Sequence, residues 1–442
     1  MSKLMNKVVL GPIVAGLLIA GFIFTPVSIR QSYVAHAQLV LGLQHLIESA
    51  IKNCNKCETV PHVNYIDSKG HVHELVYFRE ETEREASWRD NDLTKLAGSS
   101  SIAVGPLAGY SGTDISQHVN YIDNIGHVHE LYGRVGVNLK DNDLTALAGS
   151  SGVASTPAVQ GSPLDGFWDT SSRQHVNFID SQGHVRELYN TPTIRWKNND
   201  LTKLAGSSST AVQGAPGIWS PLVGYWDPSL RQHVNYIDKN GHVHELYNTS
   251  SGGWKDNDLT KLAGSSSIAV VRVGGLDGNS DSLTRQHVNF IAGGHVHELY
   301  NTPTIRWKDN DLTTLAGSSS GPGIWSPLAG YSNVVNSIPH VNYIDKNGHV
   351  HQLYSPSTGG WKDNDLTKLA GSSSTAVQES PLAAYALEDQ HVNYIDSKGH
   401  VHELLLSPKT SWKDNDLTEL AGSNSTAKLS SLNAYMSNTF VK

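Results

Sequence analysis

Cysteine is nearly absent: Cys54 and Cys57 are the only two in 442 residues, and both precede the repeats described below. No disulfide framework can therefore staple the bulk of the chain, and one Cys-x-x-Cys without a second pair is a weak metal or redox signal. Charge is thin as well, at 17% of residues, with 33 Lys plus Arg against 41 Asp plus Glu. This mildly acidic balance lacks the basic excess that nucleic-acid binding demands, so nucleic acid is not an expected partner. A long apolar run occurs once, from Val8 to Phe24, after Lys3 and Lys7 and before Ala35-His36-Ala37. That order reads as an export signal over residues 1–37 and predicts a secreted protein. An uncleaved membrane anchor over residues 8–24 is the alternative. Residues 38–58 then read as a short helical lead-in carrying the Cys-x-x-Cys pair. A distinctive catalytic set is also missing. No Ser-His-Asp order or single carboxylate pair stands apart, so neither an enzyme nor a cofactor is expected.

What the chain does have is repetition. His-Val-Asn-Tyr/Phe-Ile, a Gly-ended turn, His-Val-His/Arg-Glu/Gln-Leu, and then Asn/Asp-Asn-Asp-Leu-Thr and Leu-Ala-Gly-Ser recur seven times, beginning at His62, His118, His175, His233, His287, His340 and His391. Successive copies are 51 to 58 residues apart, a period that suits propeller blades. Each unit offers four strand-like runs, in the second unit Pro106–Tyr110, His118–Asp123, His127–Tyr132 and a stretch around Lys140–Thr145. Four short antiparallel strands cannot cover both of their faces alone, so units must stack. The expected fold is all-β: a seven-bladed propeller of four-stranded antiparallel blades over residues 59–442.

Closure can be read from the ends. Runs like Ser-Pro-Leu-Ala-Gly-Tyr centre on Leu107, Leu164, Leu222, Leu276, Leu328, Leu382 and Leu432. The first unit lacks this strand and the last has one left over. Ser430–Tyr435 should therefore complete the blade that begins at His62, closing the ring by exchange of N- and C-terminal strands.

Register follows from the turn. With Ser68-Lys69-Gly70 as a three-residue loop, Ile66 pairs with Val72, Tyr65 with His73 and Asn64 with Glu74. Period-two alternation then puts His62, Asn64 and Glu74 on one face, and Tyr65, Asp67, His71 and His73 on the other. The fifth unit has a shorter loop at Gly293-Gly294, yet Asn289 still falls opposite Glu298.

An imidazole, an amide and a carboxylate on one face make a mixed donor and acceptor patch of the kind that sugar hydroxyls require. Aromatic residues that could cover a sugar ring follow in two sets. Tyr132, Tyr189, Tyr247, Tyr300 and Tyr354 end the third run, and Trp88, Trp196, Trp254, Trp307, Trp361 and Trp412 precede the fourth. The competing reading is that these groups satisfy one another and pack blade on blade. The second face, with Asp67, His71 and His73, has metal-ligand character. It is broken by Arg186 and Ala292 in two units, and hydrogen bonding within the turn explains it equally well. The Lys-Asp-Asn-Asp run has residues suited either to calcium or to closing turns; no metal is expected.

The paired hairpin strands, with Glu in the second and Trp after it, resemble those of the fucose-specific propeller lectins of fungi and bacteria over nearly the whole repeat region. The resemblance implies sugar pockets between adjacent blades, with Glu74, Glu130, Glu187, Glu245, Glu298 and Glu403 accepting from the sugar and a Trp or Tyr stacking on it. Where that pattern has Arg, this chain has His62, His118, His175, His233, His287, His340 and His391. Gln352 replaces the Glu of the sixth unit and Leu139 the Trp of the second. The third, fourth and fifth units hold the fullest sets: His175, Glu187, Tyr189 and Trp196; His233, Asn235, Glu245, Tyr247 and Trp254; His287, Asn289, Glu298, Tyr300 and Trp307. His391, Glu403 and Trp412 complete the candidates in the seventh. The expected function is a secreted multivalent lectin whose partners are glycans on cell surfaces or glycoproteins. An interaction module without sugar binding is the alternative, and a glycosidase-like enzyme is less favoured.

Overall fold

A computed structural model describes residues 57–440, apart from loop segments at 79–85, 113–115, 134–138, 150–156, 214–219, 270–274 and 333–336 and a few single positions. The expectations for the export signal and for the helical lead-in with Cys54 lie outside the described residues. Cys57 opens the first strand, so the propeller starts two residues earlier than the repeat pattern suggested.

Seven four-stranded sheets form seven blades. Blade 4 is representative: Leu222–Trp226, Gln232–Ile237, Val243–Asn248 and Trp254–Asp258 run antiparallel from the inner to the outer edge. The inner strands of successive blades pack against one another around the ring. Closure occurs as expected. Ala427–Phe440 pairs with Cys57–Asp67, setting His62 opposite Tyr435, and so supplies the inner strand of blade 1.

The hairpin register also holds, with Asn64 opposite Glu74 and Tyr65 opposite His73 in blade 1, and Asn289 opposite Glu298 in blade 5. Glycine in the turn is required by the backbone. Gly183 has φ +77°, and a Cβ there would stand 2.7 Å from the carbonyl oxygen of Ala211, inside any normal contact. The fourth run is shorter than expected. Lys140–Asp143 is a strand, but Leu144–Gly149 turns into a short helix. The reason is a cap: in equivalent positions an Asp such as Asp258 accepts from the N–H of Lys261, which starts a helix rather than extending the strand.

Alternation gives each blade two different faces. In blade 4, Val234, Tyr236 and Leu246 pack on Ile179, Val185 and Leu201 of blade 3. Ile237, Val243 and Leu259 pack on Val288, Phe290 and Leu299 of blade 5. The cores thus lie between blades, and His233, Asn235 and Glu245 share the face turned toward the following blade. Among the described residues, no helix is long and apolar enough to cross a membrane.

Candidate functional site

Neighbouring strands place one histidine and one glutamate of each hairpin side by side. Nδ1 of His62, His118, His175, His233, His287 and His391 lies 2.7 Å from Oε1 of Glu74, Glu130, Glu187, Glu245, Glu298 and Glu403 respectively. The other carboxylate oxygen accepts an amide from the fourth strand, as Glu245 Oε2 does from Asn257 at 2.9 Å. All of these His and Glu residues are buried, as are Asn235 and Asn289.

The following blade adds a lid. The Nε2 amide of Gln174 donates to Glu130 at 2.8 Å, that of Gln232 to Glu187 at 2.6 Å, and that of Gln286 to Glu245 at 3.1 Å. Trp168 and Trp226 close on His118 and His175, with ring centroids 5.1 and 5.4 Å apart. The carboxylates predicted to meet sugar hydroxyls therefore spend their lone pairs inside the protein. A polar pair on a strand whose face is covered by the next blade stays only if its hydrogen bonds are made internally.

The aromatic sets separate. Trp196 and Trp412 are 8% exposed and belong to the interblade cores, and Trp254 and Trp307 pack against the same kind of cluster. These four tryptophans do not join the His–Glu pairs, a correction to the sequence reading. The reason is position: in blade 4, Trp254 lies opposite Asn248, one place beyond the Tyr247–Lys255 pair. The tyrosines do face the pairs. Tyr189, Tyr247 and Tyr300 lie 5.1, 6.1 and 5.2 Å from the rings of His175, His233 and His287, and all three are partly exposed.

Blades 3, 4 and 5 carry a feature that the sequence reading missed. An Asp at the end of the inner strand lies behind each histidine, with Asp169, Asp227 and Asp281 at 3.7, 3.4 and 3.8 Å from Nε2 of His175, His233 and His287. Each of these aspartates pairs in turn with an arginine four residues later: Arg173, Arg231 and Arg285. The result is a line of alternating charge, Glu245–His233–Asp227–Arg231 in blade 4, running from the interior to the surface. Its outer end is open, since the arginine side chains are 28–39% exposed. Arg173 also lies over the Trp226 ring, 5.2 Å from its centroid. The signal was present in the sequence as Arg-Gln-His, where an arginine two residues before the histidine shares its face.

Electrostatics follow this geometry. Burial opposes a charged His287, but Asp281 and Glu298 on either side outweigh it and lift the imidazole to about 9. His175 and His233 are raised in the same way against burial, by Asp169 with Glu187 and by Asp227 with Glu245. His340 is the counter-case. Burial pushes it down to about 4, with the neutral Gln352 in place of a carboxylate.

No family model and no curated protein matches the chain. Among solved structures, it is similar to the BP39L lectin of Burkholderia pseudomallei at 12% identity, with a TM-score of 0.50 over 80% of this chain and 97% of that one. It is also similar to the Aleuria aurantia lectin, a six-bladed propeller, at 15% identity and TM-score 0.49 over 71% and 95%. A third similar structure is AofleA of Arthrobotrys oligospora, at 13% identity and TM-score 0.47 over 76% and 90%. At such identities the likeness is one of fold.

Proposed function

We propose that this chain is a secreted, multivalent carbohydrate-binding protein, and that the surface of blades 3, 4 and 5 carries its sugar contacts. The observation that carries this reading is the part-exposed arginine at the outer end of each Glu–His–Asp line, with a partly exposed tyrosine beside the histidine of the same line. A guanidinium offers a planar fork of donors to vicinal hydroxyls, and a partly exposed tyrosine ring gives an apolar surface for a pyranose face. The buried His, Asn and Glu would then position these groups from beneath rather than touch the sugar. Three near-equal sites on one rigid ring gain avidity on a glycan-coated surface even if each is weak. That the BP39L structure is of a lectin agrees with this reading, and repetition of the same groups in blade after blade suits binding better than catalysis.

A specific feature favours a protein-docking role instead. The short helices each carry an exposed leucine, such as Leu204, Leu262 and Leu315 at 53–55%. A glycan array probed with the full chain separates the two. Binding to a related set of sugars, with fucosides as the first to examine, supports the lectin. Silence across the array, with a folded protein, favours docking.

A further inference from the structure

We propose that the hairpin turns of blades 1 and 2 are divalent-metal sites of the zinc class, built from Asp67, His71 and His73 with Asp92 beside them, and from Asp123, His127 and His129 with Asp143 beside them. They lie on the face opposite the His–Glu pairs, the face whose metal-ligand character stood in the sequence analysis beside hydrogen bonding within the turn.

Blade 1 shows the construction. Asp67 uses Oδ1 to accept the N–H groups of Lys69 and His71, both at 2.9 Å, which leaves Oδ2 turned inward. Asp92 likewise uses Oδ1 to cap the helix through the Lys95 N–H at 2.8 Å, and its Oδ2 lies 2.8 Å from Nδ1 of His71. Nδ1 of His73 is held by Asp90 at 2.9 Å, and its Nε2 faces Asp67 Oδ2 at 3.6 Å. A carboxylate that fixes the far nitrogen of a ligating histidine is the usual outer support of a metal site. Donor atoms of Asp67, His71 and His73 all lie within 4.8 Å of one another, as do those of Asp123, His127 and His129. The spacings of 2.8 and 3.6 Å bracket the edge of a tetrahedron with metal–ligand bonds of about 2.0–2.1 Å.

Two further observations point the same way. Nε2 of His244, His351 and His402 is buried without a hydrogen-bond partner, in residues only 4–5% exposed. Each stands 3.6 to 3.8 Å from the turn carboxylate of its own blade, the place that His73 takes beside Asp67, although in these blades the three donor groups do not all come within 4.8 Å of one another. Blade 3 fills that point with a fixed cation. Arg186 replaces the second histidine, and its guanidinium bridges Oδ2 of Asp180 at 2.6 Å and Oδ2 of Asp200 at 3.3 Å. The chain thus places a positive charge between the same two carboxylates where it lacks the second imidazole. His71 and Asp92 are partly exposed, at 37% and 23% of their side chains, which leaves a way in for an ion.

The test is metal uptake by the full chain. After removal of metal with a chelator, equilibrium dialysis against zinc should load close to two equivalents above the level held by a variant with His73 and His129 both changed to Arg. Cobalt in place of zinc should give d–d absorption of low-symmetry nitrogen–oxygen coordination, absent in that variant. Blade 3 already carries Arg at this position, so the single changes His73→Arg and His129→Arg should fold and each remove one equivalent. Equal metal content and equal spectra in parent and variants would overturn the proposal, and the single variants decide the question if the double one does not fold.

Discussion

Nδ1–H of His287 donates to Oε1 of Glu298 across 2.7 Å, with Asp281 on the other side of the same ring. Blade 6 keeps the histidine, His340, but has Gln352 opposite Asn342 where blade 5 has Glu298 opposite Asn289. The two rings compare an imidazole held between two carboxylates with one that faces a neutral amide instead, and they are driven to opposite protonation states.

Gln352→Glu should therefore lift His340 from about 4 to above the ordinary imidazole value. Proton NMR titration of the histidine rings reads this directly. The stability sign also reverses. In the parent, the His340 contribution is present above the unfolded imidazole pKa and is lost as pH falls through about 4. In the variant it is present below the unfolded value and lost as pH rises through the raised folded one. The melting temperature of the variant relative to the parent should thus fall as pH rises, by on the order of 1 kcal/mol in stability between roughly pH 5 and 8. A difference that grows with pH contradicts the account.

Asp165, on the inner strand of blade 3, supplies a second pH test. Burial raises its carboxyl to about 7, although the Gly224 N–H and Asn177 pull it down, while Asp277 nearby pushes it further up. A carboxyl raised on folding contributes stability below its unfolded pKa and loses it as pH rises through the folded value. Asp165→Asn keeps the shape and removes the charge. It should raise stability at roughly pH 8 by on the order of 1–3 kcal/mol, with little effect near pH 4. Thermal melts of both proteins at the two pH values check it, and a loss of stability at the higher pH would refute it.

Ring closure is tested by truncation. Residues 429–442 include most of the strand that pairs with Cys57–Asp67. Removing them uncovers Val63 and Tyr65 and leaves an unpaired strand edge. The truncated chain should melt at markedly lower temperature or aggregate in light scattering. Stability equal to the parent would mean that the terminal strand does not close the ring.

Architecture and register were legible in the sequence because both rest on local rules. A fixed period, a glycine turn and alternation placed Asn64 opposite Glu74 and Ser430–Tyr435 in blade 1. The site was less legible. Alternation groups His62, Asn64 and Glu74 on one face, but it does not say that the next blade covers that face, nor that Gln232 reaches across to Glu187. Tyr247 and Trp254 were equivalent in the sequence, and only their places beside the histidine and in the interblade core distinguish them. Arg173, Arg231 and Arg285 passed unnoticed because three units carry them and four do not. The Lys-Asp-Asn-Asp run, open between calcium and a turn, is a fourth strand whose last Asp caps a helix.

The most direct test of the account is monovalent sugar titration of the parent and of a variant carrying Arg173→Lys, Arg231→Lys and Arg285→Lys. Lysine keeps the ion pairs with Asp169, Asp227 and Asp281 but loses the guanidinium fork. With the melting temperature nearly unchanged, affinity at these sites should fall by about one to two decades, the value of a lost charged hydrogen bond. Undiminished sugar affinity in the folded triple variant would contradict the assignment of the sugar contacts to these three blades.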